Sequence, residues 1–323
     1  MQSTTTLSNN LHSYYFKLLL EEAEKKLVIV QLGKKKLHPR KTGKDSYMLK
    51  YGHIAEDLST LAEGVVPTAS SLSTTKKTIS LLPYGKYIPI TDELIWTAID
   101  DVMEDHTKEL AYDAAKTADS VVRNVLIANA TANIQYVSSN IVADAGVTAN
   151  DVFIVQDSIK AVRVLSGQDA PRREDGYYTW VVNNLISMDI QSDTSAGGFI
   201  ELNKYVAGGP DKILKGEIGK APGGVKVVES NNISSVANAT PVNVYRTLML
   251  AKDPFAFTSL DSDFVNMIIK PLGSGGSSDP LNQIATAGYK MMFGCTYVGG
   301  SFSGHEGAGA DLCVQIRGAC TGG

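Results

Sequence analysis

The sequence predicts an α+β fold, on three observations. Residues 91–129 contain neither proline nor glycine and carry apolar residues at i+3/i+4 spacing, the period of a helix buried along one side. Short apolar runs, alternating or continuous and bounded by Gly, Pro, Asn and Asp, recur before and after that stretch and read as strands. No block repeats at a solenoid or propeller period. A chain of 323 residues makes one large domain or two to three smaller lobes, with a sizeable core either way.

In chain order, residues 11–30 form an amphipathic segment, with Asn9 or Asn10 as its cap and Tyr15, Leu18, Leu19, Ala23 and Leu27 as its stripe. The following "KKKLHPRKTGKDSYMLK" is basic, and its Gly43-Lys44-Asp45 resembles a hairpin turn. Strands are expected at 78–82 and 86–90, so residues 33–90 read as an extended two-stranded excursion with little core of its own. The helix at 91–129 sets Ile95, Ala98, Ile99, Val102, His106, Leu110, Ala114, Ala118, Val121, Val125 and Leu126 along one side. Asp92 and Glu93 lie in its first turn, where the helix dipole favours anions. Unbroken, it would span roughly 55 Å, more than a compact lobe, so it bridges lobes or stiffens a flat molecule; a break near His106 is the alternative.

From 141 to 265 the pattern is mixed. Residues 150–167 read as a capped helix ending at Gly167, "YYTWVVNN" as a buried strand, and "SMDIQSD" and "LNKYVAG" as short helical turns. "GGVKVVESNN" is a further strand, and "NVYRTLMLAKDPFAFTSL" a strand followed by a turn at Asp253-Pro254. The C-terminal portion reads as two strands around a glycine-rich connection.

Composition narrows the function. At 43% hydrophobic and 20% charged residues, disorder is not the expectation. A net charge of −4 disfavours a free-standing nucleic-acid binder, which needs a basic excess. With no basic leader before an apolar core, and no apolar run near the ~20 residues a bilayer requires, the chain is expected to be soluble and made in the cytosol. Cys295, Cys313 and Cys320 are odd in number and lack C-x-x-C spacing, so they read as buried free thiols.

No catalytic, cofactor or metal constellation assembles. The stretch "PLGSGGSSDPLNQIATAGYKMMFG" (271–294) raises phosphate binding, but no lysine closes the loop as a P-loop requires. Asp279 and Pro280 stand where a helix N-terminus would receive the anion, and Ser278 takes the third glycine slot of a G-x-G-x-x-G. The histidines at 12, 38, 53, 106 and 305 are scattered, and Asp100, Asp101, Glu104 and Asp105 read as a solvated acidic face. "GGSFSGH" only approximates a nucleophile elbow. The basic run Lys34, Lys35, Lys36, Arg40, Lys41 and Lys44 is either a solvated hairpin surface or a charged arm lying on an acidic neighbour.

Three blocks stand out in order. Before the long helix lie Leu61, Glu63, Gly64, Pro67, Tyr84, Gly85, Thr91 and Asp92. A Gly-Glu-Ile-Gly and its following strand supply Gly216, Glu217, Ile218, Gly219, Gly224, Val225 and Glu229. Around the 271–294 stretch come Lys270, Pro271, Gly273, Asp279, Pro280, Leu281, Gln283, Gly288, Tyr289 and Lys290. Together these blocks resemble the N-four-like family of bacteriophage major capsid proteins. The resemblance covers residues 10–300; it departs at Asn183-Asn184, where His-Pro is the family's pair, and in the glycine-rich tail beyond Gly299.

The resemblance implies a Hong Kong 97-like coat fold: an N-terminal arm (1–32), an E-loop hairpin (33–90), a peripheral domain with a spine helix (91–140), an axial domain (141–265), and C-terminal strands returning to the peripheral domain (266–323). It implies a major capsid protein, not an enzyme, without cofactor. Such a protein assembles with copies of itself into hexamers and pentamers of an icosahedral shell around double-stranded DNA, which it does not read by sequence. Scaffolding, portal and decoration proteins are the expected further partners, and the virion, built in the host cytoplasm, the location. Subunit-interface candidates are Lys34, Lys35, Lys36, Arg40, Lys41, Lys44, Glu63, Asp279 and Lys290. Some coats of this fold join an E-loop lysine to a neighbour's asparagine, for which Lys34, Lys35, Lys36, Lys41 and Lys44 are candidates. An encapsulin-like nanocompartment shell and an enzyme with a glycine-rich lid, using the acidic cluster or the 301–305 segment, are the competing readings.

Overall fold

The computed structural model describes residues 27–51, 57–61, 63–67, 69–72, 74–99, 102–194, 198–200, 219–238, 242–260, 265–275, 279–299 and 311–321. Most of the expected 11–30 helix, the "LNKYVAG" turn, Gly216 to Ile218, Asp100, Asp101 and the 301–305 segment lie outside them. In chain order the strands and helices begin with β1 (Lys34–His38), β2 (Asp45–Tyr51), β3 (Thr74–Ser80), β4 (Leu82–Thr91), α1 (Asp92–Thr97), α2 (Val102–Asn129) and β5 (Ile134–Tyr136). Then come α3 (Gln156–Gly167), β6 (Tyr178–Val182), α4 (Asn184–Ser192), β7 (Lys220–Ala221), β8 (Val225–Glu229), β9 (Ser234–Ala237) and β10 (Asn243–Leu250). β11 (Phe255–Leu260), β12 (Val265–Lys270), β13 (Ile284–Tyr297) and β14 (Cys313–Gly318) complete the chain.

The first sheet is built on β13, long enough to pair β4 along one edge and β12 then β11 along the other, with β1 parallel to β11 outside. Its odd-numbered residues Ala287, Tyr289, Met291 and Phe293 turn inward onto α2. The helix answers with Leu110, Ala111, Ala114, Ala115, Ala118, Val122 and Leu126, all buried. Four alanines in that stripe let helix and sheet approach closely, and Phe293 stacks between Tyr84 and Phe257 at 4.7 and 5.3 Å. Beneath the sheet Asp113 of α2 accepts hydrogen bonds from Tyr289 Oη (2.6 Å) and Lys86 Nζ (3.1 Å).

The second sheet runs β5-β14-β10-β6-β8-β7, with β9 also on β10. Both faces are covered at its centre, which is why β6 reads as an unbroken apolar run and is buried at every position. Tyr178, Trp180, Val182, Met249 and Ile316 pack under α3 and α4, while Val181, Leu248 and Leu250 join the α2 core. Trp180 Nε1 donates to Thr247 Oγ1 (3.0 Å), which donates to the Ile316 carbonyl (3.0 Å), so the buried indole has its partner. β2 and β3 form a separate two-stranded ribbon.

Several sequence expectations change. The two-stranded part of residues 33–90 is β2 and β3 alone; β1 and β4 belong to the first sheet, so Gly43-Lys44-Asp45 does not close a hairpin between β1 and β2. The long helix is broken after Thr97, where Ala98 turns to an extended conformation, upstream of His106. β4 hands its direction to α1, whose first N–H bonds the Gln283 carbonyl (3.0 Å), whereas α2 takes its direction from packing. Ile99, expected in the stripe, is therefore fully exposed. Residues 27–29 are not helical, because the backbone N–H groups of Val28, Ile29 and Val30 donate to the Asp119 carboxylate instead. α3 starts at Gln156, not near 150: Val152 is drawn into a bridge with Ala319, and Asp157 bonds the Ile154 N–H. The two C-terminal strands do not lie together. β13 is in the first sheet and β14 in the second, where the buried pairings with β10 and β5 were open to it. Likewise the chain changes sheets at Asp253-Pro254, so β10 and β11 are in different ones.

Candidate assembly surfaces

The first surface is a groove on the sheet face opposite α2. Even-numbered residues of β13 (Ile284, Thr286, Gly288, Lys290) turn outward there, beside Pro83, Gly85 and Tyr87 of β4 and Ile268 and Lys270 of β12. Gly288 stands between Tyr87 and Ile268 in register, and a Cβ there would lie 2.8 Å from that of Tyr87. Leaving it out opens a trough of about 750 Å³ along β13. The walls are apolar, Tyr87 and Ile268 being exposed, and Lys270 and Lys290 give it positive charge. Tyr289, below the floor, has its phenol pushed up to about 12 by burial and by its hydrogen bond to Asp113, so it holds its proton as a structural donor.

The glycine-rich loop closes one end of the trough. Residues 271–274 make a turn in which Ser274 N–H bonds the Pro271 carbonyl (3.2 Å), and Gly273 takes φ 85°, a conformation that glycine adopts freely. Asp279 accepts the backbone N–H groups of Gln283 (3.0 Å) and Ile284 (2.8 Å). Those two N–H groups are thus held by the chain's own carboxylate.

The second surface is the ribbon and its tip. Tyr47, Leu49 and Tyr51 line one exposed face, with Lys76 Nζ 4.0 Å from the Tyr47 ring centroid. Beyond β2, Leu58 and Val66 are each 89% exposed, Leu61 and Val65 are exposed as well, and Gly64 turns the chain at φ 76° beside exposed Glu63. Contiguous exposed apolar side chains of this kind mark an interaction surface.

The sequence-derived candidates fall into three places. Lys34, Lys35 and Lys36 lie exposed on the edge strand β1, where lysines also discourage edge-to-edge pairing. Lys36 Nζ donates to the Tyr47 carbonyl (2.6 Å), and Arg40, Lys41 and Lys44 are in the exposed turn to β2, which His38 Nε2 holds at the Gly43 carbonyl (3.0 Å). Glu63 is at the tip, and Lys290 lies in the groove with Asp279 at its end. Tyr87, Ile268, Leu58 and Val66 were missed. The first two show as outward positions only once strand pairing is known, and the others stand in a stretch without periodicity.

Among the described residues no cluster of His, Cys, Asp or Glu is arranged to hold a metal ion, and no helix is long and apolar enough to cross a membrane. The three cysteines are free; Cys313 and Cys320 are buried, and burial pushes the Cys295 thiol up to about 11.

The fold is that of phage capsid subunits. The chain is similar to the capsid of Ralstonia phage GP4 (TM-score 0.67, 10% identity, 92% of each chain covered). It is similar also to the capsid of cyanophage P-SCSP1u (0.61, 15%, 92% of this chain and 89% of that one) and the acid-stable capsid of Helicobacter pylori bacteriophage KHP30 (0.62, 11%, 88% and 87%). No curated protein sequence matches it. Residues 74–295 match the model of the phage capsid protein family, and the chain belongs to that family. It is a mixed α+β coat protein that forms a phage shell from copies of itself, and so a component of the virion.

Proposed function

We propose that this chain is the major capsid protein of a phage whose icosahedral shell, of Hong Kong 97 type, encloses double-stranded DNA. On this reading the first sheet and α2 are the peripheral domain and its spine, the second sheet with α3 and α4 is the axial domain, and the β2–β3 ribbon is the E-loop. Residues before 33 are the arm. Its work is association rather than catalysis, in hexamers and pentamers built in the host cytoplasm, with scaffolding, portal and decoration proteins as further partners. The observation that carries this is the placement of exposed apolar surface. It lies on the ribbon and its tip, which have little core of their own, and on the outer face of the first sheet, and all of these gain burial by contact with another subunit. Negative-stain electron microscopy of the purified chain, with and without its co-expressed scaffold, tests it. Closed shells, rings of five or six, or tubes are expected; a stable monomer or dimer under every condition would overturn it. Particles filled with protein cargo and formed without phage components would point to a cellular compartment.

A further inference from the structure

Resting on the shell-protein reading, in which partner proteins join the coat, we infer that α1 and the bend after it form a docking site for a basic amphipathic helix of a separate protein, with Trp96 as its anchor. Three observations carry this. First, the bend at Ala98 interrupts the helical stripe and leaves large apolar side chains in solvent. Ile95 packs against the core of the first sheet, while Leu94, Trp96 (73% exposed) and Ile99 stand outside it. Tryptophan is among the residues most enriched at the anchoring points of interfaces, and three such side chains between 94 and 99 form a patch rather than a scattered exposure.

Second, the rim of this patch is acidic. Residues 92–109 carry seven carboxylates and one lysine. That lysine, Lys108, is already paired with Glu104 (2.9 Å) and Asp105 (3.7 Å), and Glu93, Asp105 and Glu109 face solvent. A rim of this sign repels phosphate, which disfavours nucleic acid, and attracts a cationic partner. Lysine or arginine side chains of that partner also gain from the face of the Trp96 indole. Third, the backbone here has no open edge for an extended strand. The N–H groups of Asp92 and Ala98 are bonded to the Gln283 and Leu94 carbonyls (both 3.0 Å), and α2 bonds within itself. The partner must bring a backbone that is already satisfied, as a helix does. This chain does not supply it. Among the described residues the basic run at 34–44 lies on β1 and the turn after it, and the amphipathic segment at 11–26 balances three lysines with three glutamates.

The test uses the chain's two tryptophans, Trp96 exposed and Trp180 fully buried, so that intrinsic fluorescence reports the site beside an internal standard. The probe is a leucine–lysine amphipathic helix of roughly five turns, unlabelled for fluorescence and fluorescein-labelled for anisotropy, added to the purified chain at low salt. Trp96 emission should move to shorter wavelength, its quenching by acrylamide should fall roughly threefold, and moderate salt should weaken the affinity roughly tenfold. Trp96→Ala should weaken binding roughly tenfold with Trp180 emission unchanged. Asp105→Lys combined with Glu109→Lys should do the same with the indole in place, and decides alone if Trp96→Ala disturbs Trp180. The same helix with glutamate for lysine should not bind. Equal binding of the glutamate helix, or wild-type affinity in either folded variant, would overturn the docking. So would shielding of Trp96 that grows with chain concentration in the absence of peptide, which would make the patch a contact between copies. Particles that form while the lysine helix fails to bind would sink the docking and leave the shell reading intact. Chains that form no particle would sink the shell reading, and with it the partner's place in a shell, whatever the titration shows.

Discussion

Asp119 holds more of the fold than any pattern in the chain announces. Its buried carboxylate, one turn inside the alanine stripe of α2, accepts the N–H groups of Val28 (2.9 Å), Ile29 (3.3 Å) and Val30 (3.0 Å), and so fastens the incoming chain to the helix. Burial pushes its carboxyl above the usual aspartate value, against those three donors and Arg123. The sign follows: the folded state takes up this proton before the unfolded one, so the cost of burying the charge is relieved as pH falls through the raised value toward 3.8. Asp119→Ala strands up to three donors at once, and the expected loss is about 2–4 kcal/mol. Urea denaturation checks the loss, and limited proteolysis should cut the variant first near residues 28–30. In the sequence Asp119 looks like one more polar position of a helix, because its partners lie about ninety residues away.

At the scale of elements, strands and helices were legible wherever a helical period or an unbroken apolar run was long enough to report burial. α2 and the all-buried β6 are such cases. Element ends were not, since they depend on distant partners: Ala319 holds Val152 extended, and Gln283 anchors the start of α1. β13 shows what a single missing side chain does for a neighbouring element. At Gly294 the backbone of Ser80 passes so close that a methyl group would meet its carbonyl oxygen, which places the base of the ribbon beside the sheet. Gly294→Ala must push β3 away from β13, and a loss of about 1–3 kcal/mol is expected from the overpacking. Hydrogen exchange should show it as faster exchange in β2 and β3 with β6 unchanged. Equal loosening of both would mean the ribbon is not seated there.

For the molecule as a whole, the ion cluster at Asp144 ties the second sheet together. Its carboxylate meets Arg317 of β14 (2.8 Å), Arg246 of β10 (2.8 Å) and Tyr136 of β5 (3.0 Å). Burial opposes its charge, but the two guanidinium groups and the phenol hold the carboxyl below the ordinary value. Its contribution is therefore complete above pH 3.8 and is lost as pH falls below that value, through the lowered one. Asp144→Ala should cost about 2–3 kcal/mol at neutral pH, and the gap to wild type should narrow as pH falls below 3.8 in thermal melts across pH. A gap independent of pH would show that packing, not charge, is what the cluster supplies. Composition, the helical period of α2, the apolar run of β6 and the ordered family blocks were enough to define an α+β coat protein, because each is written in neighbouring residues. The assignment of strands to sheets, the break between α1 and α2, the anchorage at Asp119 and the groove over Gly288 were settled only in three dimensions. Each depends on residues far apart in the chain competing for the same hydrogen bonds and the same buried surface, and no local period records the outcome of that competition.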